Sequence, residues 1–269
     1  MAQGRRQPKE EAPPERTLMA QIEHYVDTDP TAPTAFSAFQ QRLGRFHHEY
    51  PEWMNGTIII DSVTFMELSC RKNEQYNVNR SARDPRQWWG GSTDRLEEIL
   101  LMRFGSLPMT VCVICHVDRQ KDDVHGSMVR LPSAPGRLTK GLGCAFSEVY
   151  HAYVGSDENG HRIHQLQCQP DNLYSAESQI GAPDTCYPDY EALWVNADDA
   201  GESRVAIHCL VYGDFGAGKS TFAATFPKPL LVFAFDPFGK ERPYQRLGEV
   251  EYVNDEDLGI TIERVWGPA

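Results

Sequence analysis

The 269-residue sequence has no apolar run near the ~20 residues that a membrane-spanning helix needs. Its opening stretch, MAQGRRQPKEEAPPERT, has arginines with no apolar core behind them and does not read as a secretory signal, which places the chain in the cytoplasm. The seven cysteines are odd in number and lie mostly in apolar segments, favouring reduced, buried thiols over a disulfide framework. Positive charge is also short. The 26 Lys and Arg against 38 Asp and Glu leave a formal net charge of −12, which argues against a protein coating nucleic acid with its whole surface but allows a local basic groove. There is no internal repeat and no heptad array. Hydrophobic residues at 41% and charged residues at 24% are ordinary for a soluble globular protein of one large domain or two small ones.

Residues 1–18 are rich in Pro, Glu and Arg, lack apolar periodicity and read as a disordered tail. In PTAFSAFQQRLGRFHHEY, Phe36, Phe39, Leu43 and Phe46 recur at helical intervals. The β-branched run Thr57–Ile60 ends in Asp61, and a helix carrying Phe65, Met66 and Leu68 is expected from Ser62. Another helix is expected from Ser92 or Thr93, capping residues ahead of apolar positions at helical spacing. TVCVICH reads as a buried strand. Its CVICH, Cys112 to His116, matches the haem-attachment pattern, but strand positions three apart point to opposite faces, so both cysteines read as core. A long loop is expected from Val117 to about Gly143, then a hairpin of SEVYHAYVG and HRIHQLQCQ around SDENG. Residues 170–203 are rich in Pro, Asp and Gly, with 196–203 the most linker-like piece. RVAIHCLVY, PLLVFAFDP and ITIERVW read as three further strands. Short apolar strands alternating with helices predict an α/β fold, a mostly parallel sheet flanked by helices with a β-hairpin extension.

One stretch carries specific chemistry. In LVYGDFGAGKST, residues Gly213, Asp214, Phe215, Gly216, Ala217, Gly218, Lys219 and Ser220 satisfy G-x-x-x-x-G-K-[ST], and Thr221 follows. Glycines let backbone N–H groups turn inward around phosphates, and a helix from Lys219 aims its positive end at them. Lys219 suits the β- and γ-phosphates of a nucleotide, and the Ser220 hydroxyl suits Mg²⁺. Asp61 is the natural metal partner, because an apolar strand ending in a carboxylate delivers that group to the ligand-binding edge of a parallel sheet. The next residue is Ser62, so a hydrolase would draw its water-activating carboxylate from elsewhere. Asp236, at the end of LLVFAFDP, and nearby Glu241 are the candidates, and His116 is placed to sense a γ-phosphate.

The order of these parts is unusual, since the loop lies some 150 residues after the carboxylate strand rather than before it. YGDFGAGKSTFAATFPKPLLVFAFDPFGKERPYQRLG, GTIIIDSVTFM, VCVICHVDRQ and GRLTKGLGCAFSEVYHAYV resemble the phage-encoded RecA-like ATPases of the Sak recombination group. The resemblance runs in pieces over about 34–154 and 204–266. In that family the phosphate loop comes first, the metal strand second and an H-x-x-R-like sensor strand third. Reading from Arg204 to Ala269 and then from Met1 restores that order, so the sequence looks like a circular permutant of a RecA-like P-loop NTPase core. A single domain over 19–269 is expected, with a metal-strand and sensor half (19–195), the linker 196–203 and a phosphate-loop half (204–269).

The resemblance implies ATP and Mg²⁺ as cofactors, ATP hydrolysis, and action on single-stranded DNA in recombination or annealing, in the host cytoplasm if the chain is phage-encoded. It also implies a ring or filament of copies, in which Arg137 or Lys140 reaches a neighbour's ATP, and a single-strand-binding protein as a further partner. Two segments combine the groups that sequence-tolerant strand binding uses. Residues 71–91 hold Arg80, Arg83 and Arg86 with Trp88 and Trp89, and 117–141 hold Lys121 and Arg130. Two other readings share the phosphate loop: a small-molecule kinase, and a nucleotide-gated scaffold that hydrolyses poorly.

Overall fold

The computed structural model describes residues 16–121, 126, 128–171, 173–194, 206–237, 239 and 241–268. The expected linker at 196–203, both chain ends and most of the expected tail lie outside the described residues. The fold opens with β1 (Thr17–His24), α1 (Ala35–Trp53), β2 (Thr57–Asp61) and α2 (Val63–Asn73). A π-helical turn over 74–78 leads to α3 (Arg86–Glu97), which continues in π-helical form over 98–104. Next come β3 (Thr110–Lys121), β4 (Met128–Pro132) and a short α4 (Leu138–Gly141). They are followed by β5 (Glu148–Ser156), β6 (Arg162–Gln167) and the two-residue strands β7 (Glu177–Ser178) and β8 (Thr185–Cys186). The last part holds β9 (His208–Gly213), α5 (Lys219–Ala223), β10 (Leu230–Ala234), α6 (Arg242–Gln245), β11 (Glu249–Asp255) and β12 (Ile260–Gly267).

All twelve strands join one mixed sheet along the path β11-β12-β1-β10-β2-β3-β9-β5-β6-β8, with β4 on β3 and β7 on β5. From β1 to β5 every neighbouring pair on this path is parallel, and both margins are antiparallel. The parallel centre follows from strands that are apolar on both faces. Ile58, Ile60, Val111, Val113, Leu231 and Phe233 pack towards α1, α2 and α3, in one cluster with Phe36, Phe39, Leu43 and Phe46. Ile59, Cys112, Ile114, Leu230 and Val232 pack on the other face with Phe222 of α5 and Tyr244 of α6. Cys112 and Cys115 thus face opposite sides of the sheet, as their strand spacing requires. The chain's two halves interleave, since β10 lies between β1 and β2, and β9 between β3 and β5.

Several expectations change. Thr17 and Leu18, placed in the tail by composition, pair with Gly267 and Trp266 as the first rungs of β1 against β12. The helix expected from Ser92 or Thr93 starts at Arg86, after Pro85. Ser92 and Thr93 lie inside it, and their hydroxyls donate back to the Trp89 carbonyl at 3.1 and 2.8 Å. Mid-helix hydroxyls satisfied in this way mimic a cap in sequence without being one. The loop expected from Val117 instead forms a ribbon: Val117–Lys121 outrun the parallel sheet and pair antiparallel with β4. The hairpin of β5 and β6 forms, but β5 also pairs parallel with β9, so this extension is continuous with the central sheet. Among the described residues no helix is long and apolar enough to cross a membrane.

Candidate functional site

The glycine-rich loop leaves the sheet from its centre. β9 is buried between β3 and β5, and a Cβ on Gly213 would come 2.1 Å from the Ala152 carbonyl oxygen, so only glycine allows this approach. Gly216 and Gly218 take φ values of 75° and 91°, the left-handed region that glycine favours. The buried Lys219 side chain folds back along the loop, its Nζ donating to the Gly213 and Asp214 carbonyls at 2.9 and 2.8 Å. The helix α5 behind it starts at Lys219 as expected and has five residues.

β2 ends beside this loop, with β3 between it and β9, and registers pair Asp61 with Ile114 and His116 with Gly213. Parallel strands bring their C-terminal ends to one edge, which places Asp61 and Ser220 together although 159 positions separate them. Ser220 Oγ donates to Asp61 Oδ2 at 2.7 Å. The buried Tyr244 hydroxyl donates to the same oxygen at 2.9 Å. Burial pushes the Asp61 carboxyl above the usual carboxylate range, and the negative charge of Asp236 adds to this. The hydrogen bonds from Ser220 and Tyr244 and the charge of Lys219 act the other way. Next to it, Ser62 Oγ is buried without a hydrogen-bond partner.

A cleft of about 520 Å³ opens over these groups, within the roughly 300–1,000 Å³ typical of small-molecule sites. Asp61, Ser62, His116, Lys219, Ser220, Thr221 and Asp236 all line it, as do Phe215, Gly216 and Gly218 of the loop. Asp236 is buried two residues past β10, whose following residue Phe235 donates its N–H to the Asp61 carbonyl at 2.8 Å. The His116 backbone N–H donates to Thr64 Oγ1 at 3.1 Å, and its ring meets Phe65 edge-on at 5.7 Å. Glu241 is not among the lining residues. Its buried carboxylate faces His24 Nδ1 at 3.8 Å, while His24 Nε2 is 3.0 Å from Glu263, and burial raises its pKa. Tyr244 and Ser62 were not anticipated. Tyr244 sits in a stretch without a motif, and Ser62 reads as a helix start.

The proposed strand-binding residues lie elsewhere. Residues 71–91 form the end of α2, the π-helical turn and the start of α3 rather than a loop. Trp88 Nε1 donates to the Asn79 carbonyl at 3.2 Å, and the Arg71 guanidinium lies 4.2 Å over the Trp89 ring. Arg86 pairs with Asp84 at 2.6 Å, and Arg80 and Arg83 are exposed. On the ribbon Lys121 is exposed, and Arg130 lies directly opposite Arg119 with its guanidinium 5.0 Å over Tyr174. Arg137 pairs with Glu97 at 2.6 Å and Asp94 at 2.8 Å, so it is engaged within its own chain. Lys140 lies in α4.

The donor set fits a hard divalent cation held jointly with phosphate. Mg²⁺ takes one or two carboxylates, phosphate oxygens and water, and Asp61 with the Ser220 hydroxyl offers donors of that kind; among the described residues no group of three His, Cys, Asp or Glu side chains converges. The Ser62 hydroxyl beside Asp61, buried without a hydrogen-bond partner in its own chain, is a further oxygen donor lining the cleft. Comparison with protein-family models, curated proteins and solved structures gives no match.

Proposed function

We propose that the chain is a Mg²⁺-dependent ATPase with a circularly permuted RecA-like core. The observation that carries this reading is the meeting of Ser220 and Asp61 at 2.7 Å beside Lys219, at the C-terminal edge of a parallel sheet. Such an edge is where open α/β sheets bind ligands. The position of β3 between β2 and β9 supports the permuted order, because sheet neighbours survive a change in chain order. In this assignment residues 213–221 wrap the phosphates and Lys219 leaves its two carbonyl partners for them. Ser220 and Asp61 hold the cation, which would neutralise phosphate charge. Asp236 is the carboxylate placed to take a proton from an attacking water, in place of a glutamate next to Asp61. His116, its backbone held by Thr64 and its ring packed on Phe65, reports on the terminal phosphate.

Action on single-stranded DNA belongs to the same proposal, and the ribbon of β3 and β4 supports it best. Arg119 and Arg130 stand directly opposite each other, an arrangement that is unfavourable unless an anion lies between the like charges. Arg130 and Tyr174 add a cation–ring stack next to it. Assembly into rings or filaments is implied by the family resemblance, and of the two residues it offers for reaching a neighbouring nucleotide, Arg137 is paired in cis with Glu97 and Asp94, which leaves Lys140 as the alternative. The test is ATP turnover with and without Mg²⁺ and single-stranded DNA. Mg²⁺-dependent release of phosphate, accelerated by DNA, is expected. Phosphoryl transfer to a small acceptor instead of water would make the chain a kinase, and tight binding without turnover would make it a nucleotide-gated scaffold.

A further inference from the structure

One wall of the cleft comes from outside the parallel centre. His164 on β6 and Tyr187 and Pro188, directly after β8, line it together with the groups that hold phosphate and metal in the proposed reading. This wall reaches the loop itself: a Cβ on Gly218 would lie 3.1 Å from His164 Nδ1. Tyr187 is 69% exposed although its ring lines a cleft. The backbone that carries it is anchored on both sides. Cys186 pairs with Leu166 in the sheet, the Asp189 N–H donates to the Tyr187 carbonyl at 2.8 Å, and Tyr190 and Leu193 are buried in the core. A large ring displayed on an anchored backbone gains by stacking a flat partner and loses little freedom on doing so.

We propose that Tyr187, backed by Pro188, is the stacking platform for the nucleobase, and that this site accepts purine nucleotides with little discrimination between adenine and guanine. The proposal rests on the nucleotide reading above. The acidic end of the cleft, with Asp61 and Asp236, suits the cation and terminal phosphate, which leaves the uncharged base to the aromatic wall. That wall has no amide or carboxylate side chain among its described lining residues; its hydrogen-bonding groups are the Tyr187 hydroxyl and the His164 imidazole, whose Nδ1 lies against Gly218 of the loop. Strong discrimination between bases needs hydrogen-bonding groups that would be left unpaired by the wrong base, whereas every base offers a face to stack. Purines, with the larger face, stack better than pyrimidines.

Calorimetric titration of the full chain with Mg²⁺ and ATP, GTP, CTP or inorganic tripolyphosphate tests this. The unmodified protein is expected to bind ATP and GTP alike and CTP more weakly, with tripolyphosphate weaker than either purine nucleotide. Tyr187→Ala should weaken ATP binding by ~10-fold, the scale of one stacked base, and leave tripolyphosphate binding unchanged, while Tyr187→Phe should bind ATP normally. Unchanged ATP affinity in Tyr187→Ala, or equal losses for ATP and tripolyphosphate, would overturn the platform. So would ATP binding no tighter than tripolyphosphate in the unmodified chain, with the phosphate loop left standing. Binding of neither would instead overturn the nucleotide reading itself, and the platform with it.

Discussion

The sheet edge around Asp61 and the helical face around Trp88 look equally functional in sequence, yet they differ in how their polar groups are satisfied. At the edge, residues far apart in the chain converge and retain capacity for a ligand: a carboxyl pushed up by burial, a buried hydroxyl without a partner and a lysine resting on two carbonyls. On the α2–α3 face the eye-catching groups already have partners nearby. Trp88 bonds Asn79, Trp89 carries Arg71, and Arg86 is paired with Asp84. Composition alone cannot separate these cases, because the same residue types serve both. What separates them is whether the partner is supplied by the fold.

The largest effects should come from the edge. Lys219→Ala is expected to lower kcat/KM for ATP by about 100-fold or more, since a donor aimed at transferring charge is lost. Turnover at the unmodified rate would end the phosphate-loop assignment. Asp61→Asn should abolish Mg²⁺-dependent turnover while raising thermal stability. Its carboxyl has a raised pKa in the folded state, so above that value the ionised form weakens the fold, and a neutral amide removes the penalty. A variant that loses both activity and stability would mean that Asp61 serves structure alone.

The same sheet edge has a second imperfectly satisfied group. His151 on β5 is buried, its Nδ1 has no hydrogen-bond partner, and its ring stacks on Tyr174 at 3.6 Å. Burial lowers its pKa from 6.5 to about 4, with Arg130 acting in the same sense and Gln167, Asp214 and Asp171 opposing. The unfolded chain then takes up a proton that the folded chain refuses. Stability is full above pH 6.5 and falls as pH drops towards 4, by about 3 kcal/mol if the whole shift is realised. Denaturant titrations across this window should show that loss reduced in His151→Phe. An unchanged pH profile in the variant would assign the acid sensitivity to other groups.

Much of the centre was legible because β2, β3, β9 and β10 are apolar on both faces, the pattern of strands in a sheet covered on both sides. The loop was legible because glycines at 216 and 218 answer to a backbone requirement. The margins were not. β1 begins inside a polar tail, and β11, with Glu249, Glu251 and Asp255 along it, has too few buried positions to declare a period. Tyr244 and Tyr187 were invisible for a different reason: their roles depend on neighbours brought by tertiary packing, and no local pattern encodes that.

Strand binding discriminates the two regions at a smaller scale. Arg119→Ala with Arg130→Ala should weaken single-stranded DNA binding and reduce the salt dependence by about one unit for each phosphate no longer neutralised. Trp88→Ala with Trp89→Ala should lower the melting temperature with DNA affinity largely kept. A weakening of ~1–3 kcal/mol per base in the tryptophan variant would return DNA to the helical face.

The smallest effect is expected at Arg137. Its ion pairs with Glu97 and Asp94 are short, and its hydrogen bonds, with its charge adding, hold the Glu97 carboxyl below the usual range. The guanidinium is nevertheless well exposed, where solvent screens such pairs and they contribute little. Arg137→Ala should therefore melt close to the unmodified protein and keep its ATP turnover, because the side chain is engaged by Asp94 and Glu97 of α3 in its own chain. The informative arm is a mixture. If Arg137→Ala alone is inactive but regains turnover when mixed with the Lys219→Ala protein, each variant supplies what the other lacks, and Arg137 must release Glu97 to act on another copy. The same mixture with Lys140→Ala tests the alternative residue, and rescue there but not with Arg137→Ala would place the action in trans on Lys140.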